Sequence, residues 1–237
     1  MQPLDAQTDI AVAPKDLFSS RRVEPSILSA DFARLGAQVE EVMAAGARII
    51  HVDVMDGDFV PPITIGPLVA AAIADQVHDA GGAIDVHMMI ERPEAQIEEF
   101  ARAGADCITF HAEATAHANR TADAIREAGC LAGVAINPAT PPEAVSELDG
   151  VVDVALCMTV NPGWGGQAFI PNSPDKVARL RATVSQPAIT VDGGIEVKTV
   201  GAVAEAGASL FVAGSAVFGD SDPGSAYSRI ADVAGAE

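Results

Sequence analysis

Residues 100–111 read Phe-Ala-Arg-Ala-Gly-Ala-Asp-Cys-Ile-Thr-Phe-His. Gly104 suits a helix C-terminus. An apolar run follows almost at once and ends on a polar side chain. The same junction recurs at Ala45-Gly46-Ala47, Ala128-Gly129-Cys130 and Ala206-Gly207-Ala208. A helix stop followed directly by a continuous apolar strand is what a parallel sheet requires, because its strands are covered on both faces. Working outward, the pattern predicts strands at 23–28, 47–52, 83–87, 107–111, 131–136, 152–157, 188–191 and 209–212. Helical segments alternate with them at 32–44, 68–77, 95–103, 121–128, 142–148, 174–183, 197–205 and 227–233. Eight strand-then-helix units in 237 residues predict an α/β fold, a (β/α)8 TIM barrel. The alternative is an open doubly wound sheet, but no G-x-G-x-x-G follows the first strand. No linker divides the chain, so residues 21–237 are expected to form a single barrel domain. Residues 1–20 show no periodicity and are expected to be a frayed N-terminal tail.

Apolar residues make up 49% of the chain and charged residues 20%, which excludes disorder as the main state. No run of 18 apolar residues occurs, so no membrane span is expected. The net charge is −19, from 14 Lys+Arg against 33 Asp+Glu. Nucleic acid and anionic membrane need basic patches and are excluded as partners. A small phosphorylated substrate is not, because backbone N–H groups bind phosphate without side-chain cations. Lysines occur only at Lys15, Lys176 and Lys198, so Schiff-base chemistry has almost no candidates. Cys107, Cys130 and Cys157 each sit in an apolar stretch and read as buried free thiols in a reducing compartment. The first 20 residues carry Asp5, Asp9 and Asp16 and lack an apolar core, unlike a signal peptide. A cytoplasmic location follows as the expectation.

In a barrel the active site lies at the C-terminal ends of the strands, and the polar residues concentrate there. His51 and Asp53 are two apart and project to the same side of their strand. His87 and Asp192 end other strands. Two imidazoles and two carboxylates converging at the mouth make a divalent-metal site of the His/Asp type. Four satisfied polar residues at strand ends would fit the spacing equally well. Gly163-Trp164-Gly165-Gly166, Gly193-Gly194 and Gly214-Ser215 follow the sixth, seventh and eighth strands. Glycines there let backbone approach a ligand closely, and the loops after strands seven and eight are the usual phosphate site of barrels. Met55, Met88, Met89 and Met158 fall near strand ends. They are either core filling or a non-titrating collar, the collar better suited to Met55, Met89 and Met158. His78 and His117 read as surface residues, and His111 as a supporting or structural group.

These residues resemble the ribulose-phosphate 3-epimerase family, a ribulose-phosphate-binding barrel. The matching stretches are PSILSADF (25–32), HVDVMDG (51–57), FVP (59–61), TIGP (64–67), DVHM (85–88), NPGWGGQ (161–167), VDGGI (191–195) and GSAVF (214–218). They occur in family order. VDGGI alone is weak, whereas HVDVMDG with DVHM and NPG-x-GGQ is specific. The resemblance implies one divalent metal held by His51, Asp53, His87 and Asp192, with acid and base roles for Asp53 and Asp192. It implies substrate contacts from Ser26, His87 and Asp192. It assigns phosphate binding to Gly163, Trp164, Gly165 and Gly166, to Gly193 and Gly194, and to Gly214 and Ser215. Asp58, Pro62 and Trp164 depart from the usual His, Asn and Phe, and bear on loop geometry and sugar preference.

The implied reaction interconverts D-ribulose 5-phosphate and D-xylulose 5-phosphate, a step of the pentose phosphate pathway, by C3 proton abstraction through an enediolate. Zn²⁺ is the first choice of metal, and Fe²⁺, Mn²⁺ and Co²⁺ also suit the donors. A 3-epimerase of a phosphorylated hexulose such as allulose 6-phosphate is the close alternative. Related barrel decarboxylases and aldol-type synthases use D-x-K-x-x-D, whereas Asp85-Val86-His87-Met88-Met89-Ile90 has no Lys. A non-catalytic sugar-phosphate binder would need a broken ligand set. A homo-oligomer is expected from the resemblance.

Overall fold

The computed structural model describes residues 14–237. Eight parallel strands follow one another around a single sheet: β1 (Arg22–Pro25), β2 (Ile49–Met55), β3 (Ala83–Met89), β4 (Cys107–His111), β5 (Leu131–Ile136), β6 (Val154–Met158), β7 (Ala188–Asp192) and β8 (Leu210–Ala213). β1 pairs with β8, and the ring closes on β2 through a parallel bridge between Ser26 and His51. This is the (β/α)8 barrel that the alternating pattern predicts. The outward residues of the strands, such as Ile50, Val52, Ile84, Val86, Ile108 and Phe110, are fully buried under the helices. Those helices are α2 (Leu35–Ala44), α3 (Pro67–Asp79), α4 (Ile97–Arg102), α5 (Ala118–Glu127), α6 (Ser173–Thr183), α7 (Val200–Glu205) and α9 (Pro223–Ala234). None of the described helices is long and apolar enough to cross a membrane.

Several features differ from the sequence expectation. The strand expected over 23–28 ends at Pro25, and Ile27–Ser29 form a 3-10 turn capped by the Ser26 side chain. β2 and β3 run on to Met55 and Met89, because polar side chains that point into a barrel mouth do not interrupt a ladder. Residues 142–148 form a 3-10 helix rather than an α-helix. The adjacent Pro141 and Pro142 supply no N–H donors there. A short helix, α8 (Ser215–Phe218), follows β8 directly.

The tail expected over residues 1–20 ends earlier than expected. α1 (Pro14–Ser19) is helical, and Leu17 and Phe18 are each only 3% exposed. They close the N-terminal end of the barrel against Ile49, Ala83, Cys107, Val154 and Leu210. Those inward apolar side chains would otherwise face water. The rest of the expected tail, residues 1–13, lies outside the described residues. Phe18→Ala is expected to destabilise the fold by about 3 kcal/mol, as deletion of a buried aromatic does. Urea denaturation followed by circular dichroism checks this. The three cysteines are free and buried, as expected.

Candidate active site

Strand register builds the site. His51 stands opposite Asp85, and Asp53 opposite His87, on adjacent strands β2 and β3. All four point inward, since they alternate with the outward Val52 and Val86. Asp192 ends β7 opposite Met158. Ligand atoms of His51, Asp53, His87 and Asp192 lie within 4.8 Å of one another. His51 Nε2 is 3.3 Å from Asp53 Oδ1, and His87 Nδ1 is 3.2 Å from Asp53 Oδ1 and 3.3 Å from Asp192 Oδ2. Ser26 donates to Asp53 Oδ2 at 2.5 Å. The four residues thus form one cluster rather than four separately satisfied strand ends.

Beneath the cluster, His51 Nδ1 is held by Asp85 Oδ2 at 2.8 Å, and Glu24 Oε2 lies 3.6 Å from the same nitrogen. Asp85 holds His51 from below, a role that its place near a strand end does not by itself reveal. Its position two residues before His87 on an inward-facing register was the available signal. With Nδ1 engaged, His51 Nε2 has no hydrogen-bond partner although fully buried. A buried imidazole nitrogen without a partner, facing two carboxylates and a second imidazole, fits a cation ligand in both geometry and chemistry. The cluster is therefore capable of coordinating a divalent metal ion.

Charges reinforce this. Burial opposes protonation of His51, but the Asp53 and Asp85 charges outweigh it and raise its proton affinity well above the ordinary range. For His87, burial is likewise outweighed by Asp192 and Asp53. Burial opposes ionisation of Asp53, yet His51 and His87 hold its carboxyl far below the usual range. Asp192 moves the other way, raised by burial and then by the Asp53 charge. Burial pushes Glu24 up to about 8, with the Asp85 charge adding to it and His51 opposing it. A pair of carboxylates driven in opposite directions is the usual arrangement of an acid and a base.

Above the cluster opens a cleft. Its floor includes Ser26, Asp53 and Asp192. Its walls include Met55, Met89 and Met158, while Met88 is buried on the outer side of the sheet. Gly163, Trp164, Gly165, Gly166, Gly193, Gly194, Gly214 and Ser215 all border it. Ser29 and Gln167 border it too, although strand-end reasoning did not single them out. His51 and His87 lie below its surface, both fully buried. A Cβ on Gly194, whose φ is +65°, would lie 2.8 Å from the Phe169 nitrogen. That glycine lets the two loops meet. The N–H groups of Gly194 and Ser215 donate to no described residue. Trp164 is 63% exposed at the rim. Asp58 is exposed and outside the lining, its N–H donating to Asp56 Oδ1 at 2.9 Å. Pro62 flanks Gly163. His78 and His117 are at the surface, as expected.

The ribulose-phosphate 3-epimerase family model matches residues 22–218. Ribulose-phosphate 3-epimerase 1 of Cupriavidus necator is 48% identical over 217 residues, covering 88% of this chain and 89% of that protein. The Bacillus subtilis ribulose-phosphate 3-epimerase is 48% identical, covering 88% and 97%. The Escherichia coli K12 ribulose-phosphate 3-epimerase is 44% identical, covering 89% and 92%. Among solved structures, 3-hexulose-6-phosphate synthase from Salmonella typhimurium superposes with a TM-score of 0.68 at 17% identity, covering 90% of this chain and 98% of that one. That likeness is one of fold.

Proposed function

The chain belongs to the ribulose-phosphate 3-epimerase family, and we propose that Asp53 and Asp192 are the residues with which it interconverts D-ribulose 5-phosphate and D-xylulose 5-phosphate. The observation that carries this reading is the meeting of Asp53 and Asp192 at one nitrogen of His87, beneath an open cleft. His51, Asp53, His87 and Asp192 would hold the metal, with Zn²⁺ the first choice for two imidazoles and two carboxylates. A bound divalent cation supplies Lewis-acid polarisation of the ketose oxygens and balances the charge of the enediolate. One carboxylate takes the C3 proton and the other delivers a proton to the opposite face.

Ser26, on the cleft floor, would orient a sugar hydroxyl, whereas His87 lies beneath that floor with both ring nitrogens engaged and would act through the metal rather than by touching the sugar. Met55, Met89 and Met158 contribute apolar, non-titrating walls that exclude water from the carbanion. The phosphate is held by main-chain N–H groups of the loops at 163–166, at 193–194 and at Gly214-Ser215, which suits a chain with few cations. A short helix after the last strand is a common part of such barrel phosphate sites, and α8 occupies that position. Phe32 and Leu68 are exposed and line one shallow groove, which supports a homo-oligomer. Three buried free thiols support a cytoplasmic setting.

The five-carbon ketose phosphate should be turned over with a kcat/KM well above that of the six-carbon allulose 6-phosphate. Coupled assays on both sugars, side by side, test this. Preference for the hexulose would reassign the substrate while keeping the site.

A further inference from the structure

His87 has a second neighbour. Its Nε2 lies 2.9 Å from Nε2 of His111, the last residue of β4. The two rings are nearly parallel, 20° apart, with centroids 5.0 Å apart. With the nearest nitrogens at 2.9 Å, the rings meet edge to edge, as an N–H···N hydrogen bond requires. On its other side, His111 Nδ1 is 3.3 Å from Glu113 Oε2. Glu113 Oε1 accepts from the Asn137 N–H at 2.8 Å and from the Thr140 hydroxyl. A chain of contacts therefore runs from a surface carboxylate, through a fully buried imidazole, to a ligand of the metal cluster.

We propose that Glu113 and His111 are positioning residues that set the tautomer of His87, keeping a proton on its Nε2 and leaving Nδ1 to face the ligand cluster. The proposal rests on the reading above, in which His87 holds the metal through Nδ1. The direction of each hydrogen bond follows from the far end. A carboxylate only accepts, so His111 must donate to it from Nδ1. A neutral imidazole then presents a bare Nε2, which must accept from His87 Nε2–H. His87 Nδ1 is thereby the nitrogen left to bind the cation. Burial opposes ionisation of Glu113, but hydrogen bonds from His111, Thr140 and Asn137 outweigh it and hold the carboxyl at about 2. His111 is fully buried, and among the described residues it meets a carboxylate oxygen only at Nδ1. The Phe59 ring packs on His111 with centroids 4.8 Å apart.

Glu113→Gln is the informative variant. The Asn137 N–H and Thr140 hydroxyl claim the amide oxygen, so the amide NH₂ faces His111 Nδ1. Each hydrogen bond then reverses, and His87 loses its Nε2 proton, keeping a proton only on Nδ1. Protein selectively labelled with ¹⁵N-histidine reports each ring nitrogen by NMR in the metal-free state. Wild type should show His111 protonated at Nδ1 and bare at Nε2, and Glu113→Gln the opposite. Thr140→Ala keeps the carboxylate and should leave the tautomer unchanged. Zn²⁺ titration should show Glu113→Gln binding about 10–100-fold more weakly than wild type, the usual effect of losing an outer partner. Wild-type His111 bare at Nδ1, or Glu113→Gln with unchanged tautomer and Zn²⁺ affinity, would overturn the proposal. If the tautomers are as stated but Zn²⁺ leaves the His87 Nδ1 resonance unmoved, the relay stands and the metal-ligand reading fails.

Discussion

Asp192→Asn should lower kcat for ribulose 5-phosphate by about 10³-fold or more, the range in which general acid–base groups contribute, while the barrel remains folded. Asp192 ends β7, its side chain is 13% exposed, and its Oδ2 lies 3.3 Å from His87 Nδ1. It borders the cleft beside Asp53, which comes from β2 on a different part of the ring. An amide neither takes nor gives the C3 proton, although it keeps the shape. Two fixed groups invert a stereocentre without the planar intermediate turning over in a closed site. The delivering acid must then exchange with water between turnovers. Product made in deuterium oxide should therefore carry deuterium at C3 from the first turnover. Because Asp192 is also a proposed ligand, metal content has to be measured in the same sample. A fully loaded Asp192→Asn enzyme with wild-type turnover would remove this residue from proton transfer. Original hydrogen retained at C3 would mean a single base.

Loss of one imidazole should have the second large effect. His87→Ala should weaken divalent-metal binding by more than the ~10–100-fold that follows loss of an outer partner, and turnover should fall with it. His87 is fully buried and its Nδ1 faces both Asp53 and Asp192. Its removal takes a donor from the centre of the cluster. Chelation of wild type should abolish turnover, and a divalent cation should restore it. The pH dependence has a definite sign. Asp53, Asp85 and Asp192 raise the proton affinities of His51 and His87 in the metal-free protein. Both rings must lose a proton to coordinate through the nitrogens facing the cluster, so binding releases protons and weakens as pH falls. The competition begins above the ordinary histidine range rather than below it. Calorimetry in buffers of different ionisation enthalpy counts the protons released. Full activity in rigorously metal-free protein would sink the metal dependence.

Most of the barrel was legible because its signals are local. A glycine after an Ala-rich helix, followed by an apolar run, marks a junction wherever it falls in the chain. Found four times among eight strand-then-helix units, it leaves little choice of architecture. His51 and Asp53 were legible for the same reason, since strand alternation puts i and i+2 on one side. The helix α1 was not. Its apolar pair Leu17 and Phe18 shows no periodicity, and only the open end of the finished barrel makes their burial favourable.

The order of strands, the four polar residues His51, Asp53, His87 and Asp192, and the family of the chain are all readable from the residues in line. Which side chains touch depends on the closed barrel. Asp85 becomes the support of His51 through the β2–β3 register, and Met88 is the methionine that fills the core, on the outer face, while the other three border the cleft. Glu113 reaches His87 only through His111, across strands that the linear spacing does not relate. Register and stagger are set by pairing between segments far apart in the chain, and they arise only when the ring closes.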